Sequence, residues 1–144
     1  MINDSIIQFR TSRIGGSDVA AILGKNKWGG AASVAQRILG HSSPQEFYKP
    51  EFEFGNRWED HVAQLFAENH PEFLVITLQD AYQQGLLGKL IGFKGRIIEL
   101  DDGSITVLHE DHDFLVINTD YLLISRLGLG WGVLEIKTAS EFAV

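Results

Sequence analysis

"WGVLEIKTAS", residues 131–140, places Glu135 and Lys137 inside a run that otherwise reads as a strand. In an extended chain successive side chains point to opposite faces, so Leu134 and Ile136 share one face. Val133, Glu135 and Lys137 share the other. A charge on a buried face is costly unless it is paired or holds a metal. Two readings are open. One is an edge strand whose second face is wet and carries an ion pair. The other is an inner face on which a metal and a phosphate occupy the space beside the two charges.

The segments upstream set the context for this strand. "DFLVINTDYLLIS" (113–125) reads as a pair of extended segments. "GFKGRIIELDDGSITVLHE" (92–110) reads as two strands joined at Asp102-Gly103, a hairpin turn signal. "FLVITLQ" (73–79) is a further strand, and residues 80–92 read as loop plus the start of another. Before these the period is helical. "SDVAAIL" from Ser17 is a short helix with Ser17 or Asp18 as cap and Gly24 as stop. "AASVAQRIL" (31–39) is a second helix. "FGNRWEDHVAQLFAENHP" (54–71) is the strongest, with Trp58, Val62, Leu65 and Phe66 at helical spacing and Pro71 closing it. Helices followed by mainly antiparallel strands make a mixed α/β domain.

The 144 residues and 16.0 kDa suit one domain with one core. With no cysteine, disulfides, zinc–thiolate sites and iron–sulfur clusters are excluded. A metal must then sit among oxygen or imidazole ligands, which favours magnesium, manganese or calcium. No apolar run approaches the length of a bilayer, and "MINDSIIQFR" is no signal peptide, so a cytoplasmic protein is expected. The net charge of −7 argues against nonspecific coating of nucleic acid. Its distribution says more. Residues 1–49 hold Arg10, Arg13, Lys25, Lys27, Arg37 and Lys49 against Asp4, Asp18 and Glu46, whereas the remainder is strongly acidic. A basic front can meet phosphates while an acidic rear collects cations.

Two more carboxylates stand in apolar surroundings. Glu59 lies on the helical stripe of Val62, Ala63 and Phe66, either facing the core or snorkelling from its boundary. Asp120 interrupts "VINTDYLLI", at a turn or at a functional position. Together, Glu59, Asp120 and Glu135 supply three acids from a helix and two strands, enough to hold one or two magnesium ions. Such ions polarise a phosphodiester and activate a water. Lys137 beside the last acid can orient that water or offset charge developing on phosphorus. "HEDHD" (109–113) has spacing that suits a turn better than a separate ligand cage.

The pattern D120-x14-E135-I136-K137 resembles the PD-(D/E)xK nuclease signature, and G55-N-R-W-E59 resembles the helical G-x-x-x-E element that precedes it. R10-T-S-R-I-G-G-S17-D-V-A-A-I-L-G24 is similar to the opening motif of the YqaJ-like viral recombinase and lambda-type exonuclease family. H109-E-D-H-D-F-L-V-I-N-T-D120 is similar to that family's approach to its catalytic aspartate. The resemblance implies a restriction-endonuclease-like α/β core, with a mixed central sheet flanked by helices. It implies a magnesium-dependent deoxyribonuclease, with manganese as an alternative ion. Glu59, Asp120, Glu135 and the Ile136 carbonyl would bind metal, and Lys137 would assist the attacking water. Arg10 and Ser17 would hold a 5′ phosphate, with Arg13 secondary and the Gly15-Gly16 backbone N–H groups contributing.

The specific activity implied is 5′-to-3′ resection of double-stranded DNA ends for recombination in a phage or prophage. A single-strand annealing protein and a homo-oligomer are the implied partners. A structure-specific or nicking endonuclease on the same core, or an inactive DNA-binding module, are the alternatives. The chain departs from the pattern in carrying Tyr121 after the aspartate, where glycine or arginine is common, and in a longer segment from Asp80 to Gly103. As a single nuclease domain over 1–144, it is expected to lack the family's C-terminal helical region.

Overall fold

The computed structural model describes residues 4–27, 29–41, 50–128 and 130–137; for 50–54 and 56 it describes the backbone alone. Trp28 and Lys49 lie outside the described residues or side chains. The chain divides into two compact units, one of residues 2–46 and 94–118, the other of residues 47–93 and 119–144 with Met1.

The first unit begins with helix α1 (Asp4–Thr11), which the N-terminal sequence does not announce. A single 3-10 turn (Gly16–Asp18) then leads into α2 (Val19–Ile22) and α3 (Ala31–Ile38). Gly24 ends α2 with φ +66, a conformation that an L side chain rarely adopts, and Lys25 N–H returns to Ala20 O at 2.8 Å. The strands are β2 (Arg96–Glu99), β3 (Ile105–Leu108) and β4 (Val116–Ile117), in the order β2-β3-β4, all antiparallel. Gly103 at φ +79 closes the β2–β3 hairpin, with Leu100 N–H donating to Ser104 O. Every residue of β3 is buried, the polar Thr106 included, so this central strand is covered on both faces. The Arg10–Gly16 segment is tied to the β3–β4 connection. Ile14 N–H donates to Phe114 O at 2.7 Å, and Val116 N–H to Ile14 O at 3.0 Å.

The second unit holds α4 (Pro50–Asn69), β1 (Phe73–Ile76), α5 (Leu78–Gln83), β5 (Tyr121–Ser125) and β6 (Trp131–Leu134). Its sheet runs β1-β5-β6, again antiparallel throughout, with β6 on the edge. Helix α4 packs on β1. Its buried side is centred on Ala63, with Glu59 and Phe66 half-buried, whereas Trp58, Val62 and Leu65 are exposed. The stripe of Glu59, Ala63 and Phe66 turns inward, as one reading of the helical spacing has it, whereas the larger Trp58, Val62 and Leu65 do not. The small alanine permits the closest approach to the sheet, and the larger side chains are left outside. Trp131, which flanks glycines in the sequence, is structural: its indole N–H donates to Ile91 O at 2.8 Å.

The expected mixed central sheet is therefore replaced by two three-stranded antiparallel sheets, one in each unit. Parallel pairing among the described residues is confined to a single Ile14–Leu115 bridge. The segment 80–92, expected as loop and strand, contains most of α5 and a 3-10 turn (Leu87–Lys89). Within it Ala81, Leu87 and Leu90 are buried, whereas Ile91 is exposed. The start of α5 is set by Thr77, whose side-chain oxygen accepts the Asp80 N–H at 3.1 Å.

Thr77→Ala removes this cap and should lower stability by about 1 kcal/mol. Chemical denaturation should show a shifted midpoint with an unchanged slope. An unchanged midpoint would mean that α5 is held by Leu78, Ala81 and Leu87 alone.

Candidate active site

Asp120 occupies the bend immediately before β5, and Glu135, Ile136 and Lys137 follow the end of β6. Register brings the two segments together, since Tyr121 pairs with Leu134. The Ile136 N–H then donates to Asp120 Oδ2 at 2.7 Å in a part-buried setting. Strand β6 stops at Leu134, so the expectation that Glu135 and Lys137 lie within the strand on its inner face is corrected. They form a mutual ion pair just beyond it, with side chains 49% and 76% exposed. Among the described residues β6 is an edge strand, and its pairing with β5 ends at Leu134.

Glu59 reaches this region from α4. Burial raises its proton affinity above the usual glutamate value, and the negative charges of Asp120 and Asp60 raise it further. Lys137 is held above the ordinary lysine value, chiefly by its hydrogen bond to Glu135, with Asp120 and Glu59 adding to the effect. It therefore stays a cation at neutral pH and is suited to offsetting negative charge rather than to acting as a base. Glu59 and Asp120 thus lie within electrostatic reach of each other and of Lys137, whose ion-pair partner is Glu135.

The donor set is hard oxygen, and the Glu59–Asp120 pair carries a repulsion that a divalent cation would relieve; in this respect the residues fit magnesium or manganese. Glu135 is turned to Lys137 instead. Among the described residues no three His, Asp or Glu side chains form a group that could hold an ion. This holds also for "HEDHD", where His109 and His112 stack at 4.9 Å and Asp111 N–H donates to His109 Nδ1, as a turn requires.

Sequence reasoning missed Asp60. Its Oδ1 accepts the hydroxyl of Tyr121, a residue 7% exposed, and burial together with this carboxylate pushes the Tyr121 phenol well above its usual value. Nothing in the spacing marks Asp60, which follows Glu59 and belongs to no motif.

In the other unit the N-terminal motif folds into a charged turn. Arg10 Nη2 donates to Ser17 Oγ at 3.0 Å, bringing together two of the expected phosphate ligands. The guanidinium lies over Gly15, where an added Cβ would stand 2.7 Å from Nη2. Any side chain at this position would push Arg10 away. Two expectations change here. The Gly15 N–H is taken by Asp18 Oδ2 at 2.8 Å, leaving Gly16 as the candidate backbone donor of the pair. Arg13 is committed to the fold: it donates to Phe9 O and Asp113 O and lies 3.8 Å over the Phe9 ring.

Arg37, which the sequence offers only as part of a basic front, has a structural task. Its Nη1 donates to the carbonyls of Arg10, Thr11 and Arg13, and its Nη2 pairs with Asp18 at 2.8 Å. The bonds to Arg10 O and Thr11 O satisfy two of the carbonyls that the end of α1 leaves open. They also fix the turn from which Arg10 projects.

No curated protein and no solved structure matches the chain. The model of the YqaJ-like viral recombinase domain matches residues 7–144, a span that includes both the Arg10–Ser17 turn and the Asp120–Lys137 segment. The chain belongs to the YqaJ-like viral recombinase domain family.

Proposed function

We propose that this protein is a metal-dependent deoxyribonuclease that degrades duplex DNA from 5′ ends during recombination. The observation that carries the reading is the hydrogen bond from Ile136 N–H to Asp120, which brings the two halves of the family motif side by side. Membership of a viral recombinase family supports DNA as substrate. Glu59, Asp120 and the Ile136 carbonyl would hold magnesium or manganese, with Glu135 joining them on release from Lys137. The ion when bound would activate a water and polarise the phosphodiester. Lys137 would place positive charge near the phosphate, and Arg10, Ser17 and the Gly16 N–H would take the terminal 5′ phosphate.

A DNA-binding module without turnover is the second reading, favoured by the Glu135–Lys137 pairing in place of a three-acid ligand group. Digestion of end-labelled duplex DNA in magnesium, with and without a 5′ phosphate, separates the readings. The exonuclease should release nucleotides from the phosphorylated 5′ end and lose this activity in Asp120→Asn and Glu135→Gln. Internal nicks that are indifferent to the end would support an endonuclease. Binding without cleavage would support the module.

The raised proton affinity of Glu59 gives a test that needs no DNA. A carboxyl that holds its proton more tightly in the folded state adds stability in acid, and that contribution is lost as pH rises through the folded value. The metal-free protein should therefore lose part of its stability between acid and neutral pH. Glu59→Gln should flatten this loss, and millimolar magnesium or manganese should offset it in the wild type. Melting curves that neither ion shifts at neutral pH would count against the metal site.

Gly15→Ala and Arg10→Ala should act alike on DNA ends, because both remove the guanidinium from Ser17. A hydrogen bond to a charged group contributes about 1.5–3 kcal/mol, so binding to 5′-phosphorylated ends should weaken roughly tenfold or more. Binding to 5′-hydroxyl ends should change much less. The comparison is made in calcium at one salt concentration. Equal losses for the two ends would show that Arg10 supplies only diffuse attraction.

A further inference from the structure

Tyr121 follows Asp120 at the start of β5, and Asp60 follows Glu59 on α4. The immediate neighbours of the two paired acids are thus joined to each other through the Tyr121 hydroxyl and Asp60 Oδ1. Tyr121 is 7% exposed, so packing fixes its ring and leaves the hydroxyl little freedom to seek another acceptor. A hydrogen bond from a neutral hydroxyl to a carboxylate is charge-assisted and stronger than one between neutral groups. On the sheet side, the Tyr121–Leu134 register and the Ile136 N–H hold Asp120 in place. Glu59 belongs to the helix. The phenol–carboxylate bond spans the seam between helix and strand one residue away from both acids.

We propose that Tyr121 and Asp60 are a positioning pair that sets the separation of Glu59 from Asp120 and, through it, the affinity of these acids for a divalent cation. The inference rests on the metal-site reading given under Proposed function. Tyr121 touches neither ion nor substrate in this role, and acts through Asp60 and α4. The chemistry resembles that of outer-shell residues in metal sites, which orient ligands and whose loss weakens metal affinity by about 10–100-fold.

The test titrates the metal-free full chain with Mn2+ and reads the free ion by electron paramagnetic resonance, well below the melting temperature. Tyr121→Phe deletes one oxygen and keeps the ring and every carboxylate. It should bind Mn2+ about tenfold or more weakly than the wild type. A bond that served stability alone would lower the melting temperature of the metal-free protein and leave the Mn2+ affinity unchanged. That result overturns the proposal. If Tyr121→Phe does not fold, Asp60→Asn against Asp60→Ala decides, since both remove the charge and only asparagine retains an acceptor for the phenol. Tighter Mn2+ binding by Asp60→Asn supports the pair, and equal affinities overturn it. A wild-type chain that binds no Mn2+ overturns the metal site itself, and the positioning role with it. That outcome is distinct from binding that is indifferent to Tyr121→Phe.

Discussion

A carboxylate at the mouth of a central strand needs a donor, and Asp120 finds it in the Ile136 amide at 2.7 Å. The bond forms because β5 and β6 pair antiparallel with Tyr121 opposite Leu134, so the residues just before one strand meet those just after the other. The arrangement of the candidate site depends on this crossing. Asp120 is anchored by main chain, while Glu135 and Lys137 sit on either side of the amide that anchors it. A shift of register by one residue would move the amide and turn the alternate face toward the acid.

The opening stretch follows the first of its two readings. Strand β6 is an edge strand, and Glu135 and Lys137 do form an exposed ion pair beyond its end. Lys137 nevertheless lies within electrostatic reach of Glu59 and Asp120. An exposed pair of this kind contributes little to stability, because water already solvates both partners. Its acid can exchange the lysine for another cation at small cost. A fully buried pair would resist such exchange, since separating it leaves uncompensated charge.

Two arginines of the N-terminal half show how partners, rather than residue type, decide a role. Arg37 is surrounded by three carbonyls and Asp18, and its charge is consumed in holding the chain. Arg10 donates to a hydroxyl and rests on a glycine that has no side chain to displace it. Both belong to one basic cluster in the sequence. Asp18 links them, accepting the Gly15 amide while it pairs with Arg37, so the turn beneath Arg10 is braced by the second arginine.

Local chemistry made much of this protein legible. Gly24 and Gly103 stop a helix and turn a hairpin because they adopt positive φ, and such demands are written in one or two residues. The helix carrying Glu59, the strands around Asp120 and the order of the motif elements could be read in the same way. Facts that depend on which surfaces meet could not. Helical spacing along α4 offered one stripe through Ala63 and Phe66 and another through Trp58 and Leu65, and could not choose between them, since burial is decided by the partner. Helix α5 was hidden because its stability comes from burying Leu78 and Ala81 rather than from a long periodic pattern. The division of the strands into two antiparallel sheets was likewise set by long-range pairing. Sequence alone thus determined the chemical types available at the site: oxygen ligands, a lysine and an arginine beside glycine. Tertiary structure decided that Asp60 would meet Tyr121 and that the Ile136 amide would meet Asp120, because hydrogen-bond partners distant in sequence are chosen by packing and register.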